Sequence, residues 1–402
     1  MSLKSLLVGI AVSLFFAQNI AAKIISGGEP EKSFEVSADR FADLQVLRYK
    51  INGFEQLSTR EKELLYYLYE AALSGRDIIY DQKYKHNLTI RKTIEAIYSS
   101  YKGDKQNPEY KKFTDWAKQV WFSNGIHHHY SNTKMIPEFS KEYFKELIKN
   151  SDAQKLPLSP KQTPAQLTTF LQPILFDPNI DPKCENLEQG IDNVKGTCNN
   201  FYENVTQKEV EDYYKSMIKP MEATPISYGL NSKLVKENGK IVEKTWKLGG
   251  MYSPAIEKIV YWLEKAVEVA ENDQQKDALQ KLVKYYKSGD LKDFDEYNMA
   301  WVKDVNSKID VVNGFIEVYL DAIGMRGSFE SVVSIKDMEA TKRIEAIAKE
   351  AQWFEDNSPI LNNHKKKDVK GITAKVITVV VESGDAAPST PIGINLPNSN
   401  WV

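Results

Sequence analysis

Three stretches of this chain carry side chains able to do chemistry. The first is His127-His128-His129, followed by Tyr130. Imidazole is the commonest protein ligand for zinc. Consecutive side chains diverge on a helix or a strand, however, whereas helix-borne ligands sit three or four residues apart. The spacing therefore predicts a polar cleft wall beside Tyr130, not a metal centre. The second stretch runs from Asp310 through Asn313, Gly314, Glu317 and Tyr319 to Asp321, Gly324, Arg326 and Glu330. Acid and amide groups alternate there with large apolar ones, as on a half-buried element that leads into a glycine-punctuated turn. The third is the last segment, Pro391 to Val402, in which Gly393, Asn395 and Asn398 have the look of a substrate-binding loop. His86 and His364 are the remaining histidines, and neither is followed by Glu in a His-Glu-x-x-His arrangement. No nucleophile elbow supports a Ser-His-Asp or Cys-His hydrolase.

Taken together, these stretches resemble a known family. Asn313-Gly314-Phe315-Ile316-Glu317-Val318-Tyr319, then Gly324-Met325-Arg326-Gly327-Ser328-Phe329-Glu330, then Gly393-Ile394-Asn395-Leu396-Pro397-Asn398, are similar in order and spacing to the dipeptidyl peptidase III zinc exopeptidases in their exported bacterial form. Ser123 to Tyr130, Tyr228-Gly229-Leu230-Asn231-Ser232 and Gly249-Gly250-Met251-Tyr252 fit the same pattern, and the likeness runs from about Ser37 to the end.

The resemblance implies an α+β protein of two lobes: a lower β-barrel with attached helices, and an upper helical lobe that carries zinc, with peptide in the cleft between. On that basis residues 23–319 are expected to form the lower lobe. Residues 320–370 would make a helical excursion toward an absent zinc lobe, and 371–402 would return as a strand and the substrate loop. The family takes its zinc ligands from a His-Glu-x-x-Gly-His motif and a later Glu-rich motif, and neither occurs in these 402 residues. Zinc would then belong to the full-length protein, with no catalytic residue or metal ligand in this chain, and the chain is expected to be inactive alone. The alternative is a non-catalytic exported peptide-binding protein.

Site residues carry over one by one. Asn395 and Asn398 match amides that hold the free amino terminus of an oligopeptide substrate, and Asp310 falls where the family has an acid paired with that ammonium. A carboxylate would supply charge while amide oxygens accept the remaining N–H donors. Gly393 would offer backbone groups to the peptide as an added strand, and Tyr130 matches a cleft aromatic. Two departures stand out: Asp321-Ala322-Ile323-Gly324 lacks the proline frequent in that turn, and Val312 replaces a Tyr of some relatives.

Several elements must position these groups. Ser58-Thr59-Arg60-Glu61 has the form of a capping box, which predicts a helix over Thr59 to Ser74 that ends at Gly75. Ser253-Pro254 opens another helix, and Asp273 to Lys287 makes its partner before Ser288-Gly289. A further helix is expected from Phe329 to about Phe354, with Val332, Val333, Ile344, Ile347 and Trp353 exposed. Asn238-Gly239 signals a hairpin within Ile226 to Lys247. The β-branched run Ala374 to Val381 suggests a strand buried on both faces. Leu156 to Asn200, rich in proline and asparagine, reads as long surface loops.

Met1 to Ala22 reads as a secretory signal peptide, with an apolar run from Leu6 to Ala17 that Gln18-Asn19 cut too short to span a membrane. The mature chain is expected to be exported to the periplasm without a membrane anchor. With 42% hydrophobic residues the chain can bury a sizeable core, and a net charge of -2 gives no basic field for nucleic acid. Cys184 and Cys198 are the only cysteines; a short disulfide loop and two free thiols both fit.

Overall fold

The computed structural model describes residues 34–219, 221–369, 374–388, 390–399, 401 and 402. The expected signal segment, 1–22, lies outside them. In the unit ending at Lys50, β1 (Ser37–Phe41) and β2 (Leu44–Leu47) form an antiparallel hairpin. The unit from Ile51 to Val402 holds every other element described below. No described helix is long and apolar enough to cross a membrane.

Helix α1 (Thr59–Ser74) starts at the expected capping box. Ser58 Oγ accepts from the Glu61 N–H at 3.3 Å, and Glu61 Oε2 accepts from the Ser58 N–H at 2.7 Å. Two otherwise orphaned amide donors are thereby satisfied. Leu64, Leu65 and Leu68 bury the inner face, each worth ~1.5–3 kcal/mol of gross transfer energy. Gly75 ends the helix where a Cβ would stand 2.0 Å from the Phe329 ring. Next come α2 (Arg76–Lys83), α3 (Asn87–Ser100), α4 (Pro108–Phe122), α5 (Lys141–Lys149) and α6 (Pro164–Phe176). The apolar faces of α3 to α6 close on one another as a separate core around Phe113, Phe144, Leu147 and Leu171.

Helix α6 corrects the expectation of loops over Leu156 to Asn200. Thr163 and Gln166 form a second capping box, with Pro164 in the first turn, where its missing N–H costs nothing. Leu167, Leu171, Ile174 and Leu175 then face inward. The segment is helical because the capping box and the inward-facing apolar residues outweigh the one backbone bond that Pro173, inside the helix, gives up.

Short α7 (Asn193–Gly196), β3 (Tyr202–Glu203) and α8 (Gln207–Lys215) lead to the predicted hairpin of β4 (Ser232–Glu237) and β5 (Lys240–Thr245). Asn238 and Gly239 both have positive φ, as a two-residue hairpin turn of this kind requires. Strands β3, β4 and β5 make one sheet. Helices α9 (Ser253–Glu268) and α10 (Asp273–Ser288) follow as expected, and α11 (Leu291–Lys303) packs on α10.

The last sheet has the order β6 (Ile309–Phe315), β7 (Phe329–Lys336), then, beyond α12 (Met338–Ala348) and α13 (Ala351–Asn357), β8 (Ile377–Gly384). It is antiparallel throughout, with Phe315 opposite Phe329 and Glu330 opposite Gly384. Its strands join α1, α9 and α10 in the main core.

Three expectations are corrected here. The fold is α+β, but no sheet among the described residues closes into a barrel: β6–β7–β8 is open, and helices α1 and α2 pack on it in place of further strands. The helix expected from Phe329 begins only at Met338. Phe329 to Ile335 are buried on both faces of a strand, Val332 and Val333 included, because β-branched residues fit a doubly covered pleat better than a helix. Ile347 and Trp353 are indeed exposed. Finally, β8 is half-buried from Ile377 to Glu382 and buried only at Ser383 and Gly384, not buried along both faces as expected.

Candidate functional site

Asp310 is the second residue of β6, opposite Ser334. Its Oδ1 accepts from Trp301 Nε1 and from the Val311 N–H, both at 2.8 Å, and its Oδ2 lies 3.2 Å from Lys375 Nζ. An ammonium therefore already faces this carboxylate. Lys375 also reaches the Asp304 carbonyl at 3.1 Å.

Asn395 and Asn398 are exposed on the segment that follows β8. Leu396, between them, packs on the main core, and Trp401 Nε1 donates to the Pro225 carbonyl at 3.2 Å. No hydrogen bond joins Asp310 to either asparagine among the described residues. The segment leaves the sheet at the Gly384 end, opposite Glu330, four positions along β7 from the partner of Asp310. That is ~13 Å of strand, and the chain from Gly384 to Asn395 is long enough to return across it. Gly393 faces open space, with nothing within 4 Å of where a Cβ would be. Tyr130 is 72% exposed, its ring 4.6 Å from that of His129.

The three adjacent imidazoles have different surroundings. His127 is buried, with Nε2 at 2.8 Å from the Asp181 carbonyl and 3.4 Å from Cys198 Sγ. Burial holds it down to about 4, so it is neutral at pH 7. His128 Nδ1 accepts from the Tyr130 and Ser131 N–H groups at 3.2 Å, and His129 Nδ1 lies 3.3 Å from Ser123 Oγ. Cys184 and Cys198 are both free thiols, and burial pushes both above the usual thiol range.

Sequence reasoning missed the acidic end of the sheet. Glu330 on β7 is nearly buried, and its carboxyl is pushed up to about 8 by burial, then by Asp385, Glu317 and Glu382. Burial also raises Asp385 and Glu382; the ammonium of Lys83 opposes the first shift, and a 2.6 Å hydrogen bond from Thr390 opposes the second. Tyr319, 73% exposed, is hydrogen-bonded to Glu317, which raises its phenol. These acids are scattered in sequence, and only the strand register brings them together.

The turn between β6 and β7 is pinned although it lacks a proline. The Asp321 carboxylate accepts the N–H groups of Ile323, Met325 and Arg326 at 2.9–3.1 Å and the Tyr202 hydroxyl at 2.7 Å. Arg326 is wholly buried between the rings of Tyr202 and Tyr214, 4.5 and 4.8 Å from their centroids, and Nη2 donates to the Tyr214 hydroxyl.

Comparison with known proteins agrees with this architecture. Residues 206–402 match the family model described as peptidase family M49. Human dipeptidyl peptidase 3 is 23% identical over 384 residues, 86% of this chain and 51% of that protein. The rat protein of the same name is 25% identical over 321 residues, 72% of this chain and 42% of the relative. The dipeptidyl peptidase III structure from Caldithrix abyssi superposes with a TM-score of 0.57 at 20% identity, covering 86% of this chain and 53% of that one. The corresponding structure from Corallococcus sp. strain EGB gives 0.59 at 17% identity, covering 86% and 52%. Over residues 206–402 the chain is thus similar to peptidase family M49, and it spans about half the length of the curated relatives it matches.

The zinc that this family implies does not fit the described residues. Among the described residues no three His, Cys, Asp or Glu side chains are grouped to hold an ion, and His127 Nε2 and Cys198 Sγ, 3.4 Å apart, both face the Asp181 carbonyl.

Proposed function

We propose that this chain is the peptide-holding portion of a zinc-dependent dipeptidyl peptidase that removes dipeptides from the amino terminus of oligopeptides. Asp310, Asn395 and Asn398 hold the free ammonium of the substrate, Gly393 offers backbone to it, and Tyr130 packs against a side chain. The metal and the groups that act with it come from residues other than these 402, so the chain alone binds peptide without hydrolysing it. The protein works after export to the periplasm. One observation carries the reading: the match to peptidase family M49 extends over 206–402, the stretch that contains Asp310, Gly393, Asn395 and Asn398.

The experiment is calorimetric titration of a free-amino tetrapeptide and its acetylated twin against the chain and its Asp310→Asn variant. The free-amino peptide is expected to bind at least ~10-fold more tightly, a preference that the variant loses. Equal affinities for the two peptides would remove the three residues from this role. Hydrolysis of a dipeptidyl substrate by the purified chain would refute its incompleteness.

A further inference from the structure

A cleft of about 530 Å³ lies away from the residues assigned above, between α2, α3, α4 and the end of β8. Its walls are Tyr80, Tyr98 and Trp121, with Leu73 and Ala387 as apolar neighbours. Tyr98 and Trp121 meet edge to face at 5.4 Å, and the Tyr80 hydroxyl donates to the Trp121 carbonyl at 3.2 Å, so the aromatic wall is held in place. The Asn124 side chain ties the same region to the end of β8 through a 3.0 Å bond to the Gly384 carbonyl.

Four lining residues present buried polar atoms that have no hydrogen-bond partner among the described residues: Arg91 Nε, which lies 3.2 Å from a Glu95 carboxylate oxygen, Trp121 Nε1, Glu382 Oε1 and Ser383 Oγ. Ser383 is 2% exposed. Leaving such atoms unmatched costs ~1–3 kcal/mol each, so a ligand that satisfies them gains what the fold gives up. The charges are mixed. Arg91 is already engaged, with both Nη atoms on Asp77 at 2.7 and 3.2 Å and its plane over Tyr80. Arg76 is 62% exposed, with its nearest carboxylate 3.7 Å away, and remains able to meet an anion. Glu382 keeps one oxygen for a cation, its other oxygen being taken by Thr390.

These groups select a ligand class. A phosphate or nucleotide would meet the carboxylates of Glu95 and Glu382 with only Arg76 free to hold it. A metal ion would face aromatic rings, and a purely apolar molecule would leave the polar atoms unmatched. We infer that this cleft binds a small zwitterion with an aromatic or large aliphatic side chain, a free amino acid or dipeptide, its carboxylate toward Arg76 and Trp121 and its ammonium toward Glu382. The side chain lies against Tyr98 and Trp121, and the volume is in the range of ordinary small-molecule sites.

The test is calorimetric titration of L-phenylalanine and phenylalanyl-phenylalanine, each beside its N-acetylated and amidated forms. Saturable binding of at least one zwitterion is expected, with a loss of about 10-fold when either terminal charge is blocked. The probe that binds more tightly distinguishes amino acid from dipeptide. Trp121→Phe keeps the ring and removes the donor, and Glu382→Gln removes the charge; each is expected to weaken binding about 5- to 10-fold with the melting curve retained. Asp310→Asn should leave this binding unchanged, which separates the cleft from the peptide site. No saturable binding of either probe, equal binding of the blocked forms, or undiminished binding by both folded variants overturns the inference.

Discussion

Replacing Glu330 by Gln should change how the stability of this protein depends on pH. Glu330 sits on β7 with Asp385, Glu317 and Glu382 around it, and burial with those neighbours takes its carboxyl from an ordinary 4.5 to about 8. In the unfolded chain the group ionises near its ordinary value, whereas in the fold it keeps its proton to about 8. Over that interval the folded state binds more protons, so stability falls as pH rises and levels off once both states are ionised. The full shift corresponds to at most ~5 kcal/mol, and relaxation and water entry reduce the realised figure to about 2–3. Glutamine has nearly the same shape and no proton to lose. Glu330→Gln and the wild type should therefore differ by a fixed offset below about pH 4, and the variant should gain as pH rises from there to about 8 and level off by about pH 9. Thermal melts at half-unit steps of pH would show the difference in Tm widening in favour of the variant by roughly 5 °C across this range. Asp385 and Glu382 interact with Glu330 through their charges, so the difference reports the titration of the acidic group as a whole. A gap that stays constant from pH 5 to pH 9, or narrows, would refute the placement of Glu330 in a buried acidic pocket.

Two further outcomes follow from the geometry. Gly384→Ala should cost at least ~3 kcal/mol in urea denaturation, because φ is +72° there and a Cβ would stand 2.0 Å from the Phe329 carbonyl oxygen, whereas Gly393→Ala, in open space, should cost under ~0.5 kcal/mol. Lys375→Met removes the ammonium that now faces Asp310 and should tighten a free-amino tetrapeptide several-fold while leaving its acetylated twin unchanged, as read by titration.

Where a local signal settled an element, the sequence was legible. The Ser58 to Glu61 capping box, Gly289 after α10 and the Asn238-Gly239 turn each carry their own physics within a few residues, and α1, α10 and the β4–β5 hairpin form where expected. Strand β7 was misread because its apolar residues Phe329, Val332 and Val333 stand at i, i+3 and i+4, with Glu330, Ser331 and Ser334 between and after them, a spacing that suits a helix face. Only pairing with β6 and β8 decides between helix and strand. Helix α6 was missed because its prolines were counted as loop formers, although Pro164 stands in the first turn and the capping box with Leu167, Leu171, Ile174 and Leu175 carries the helix past Pro173.

The candidate site was legible as motifs but not as geometry. Lys375 meets Asp310 across 65 residues, and the acids around Glu330 converge from β7, β8 and the segments that follow β6 and β8. No spacing rule along the chain reports such meetings.

The guanidinium of Arg326, clasped by the rings of Tyr202 on β3 and Tyr214 on α8, has a mechanical consequence. It rivets the bend joining two strands of one sheet to a neighbouring sheet, and the carboxylate of Asp321 tightens the joint through the Tyr202 hydroxyl. A push on either side is thus shared: whatever displaces the β6–β7 bend must also carry the β3–β5 layer with it.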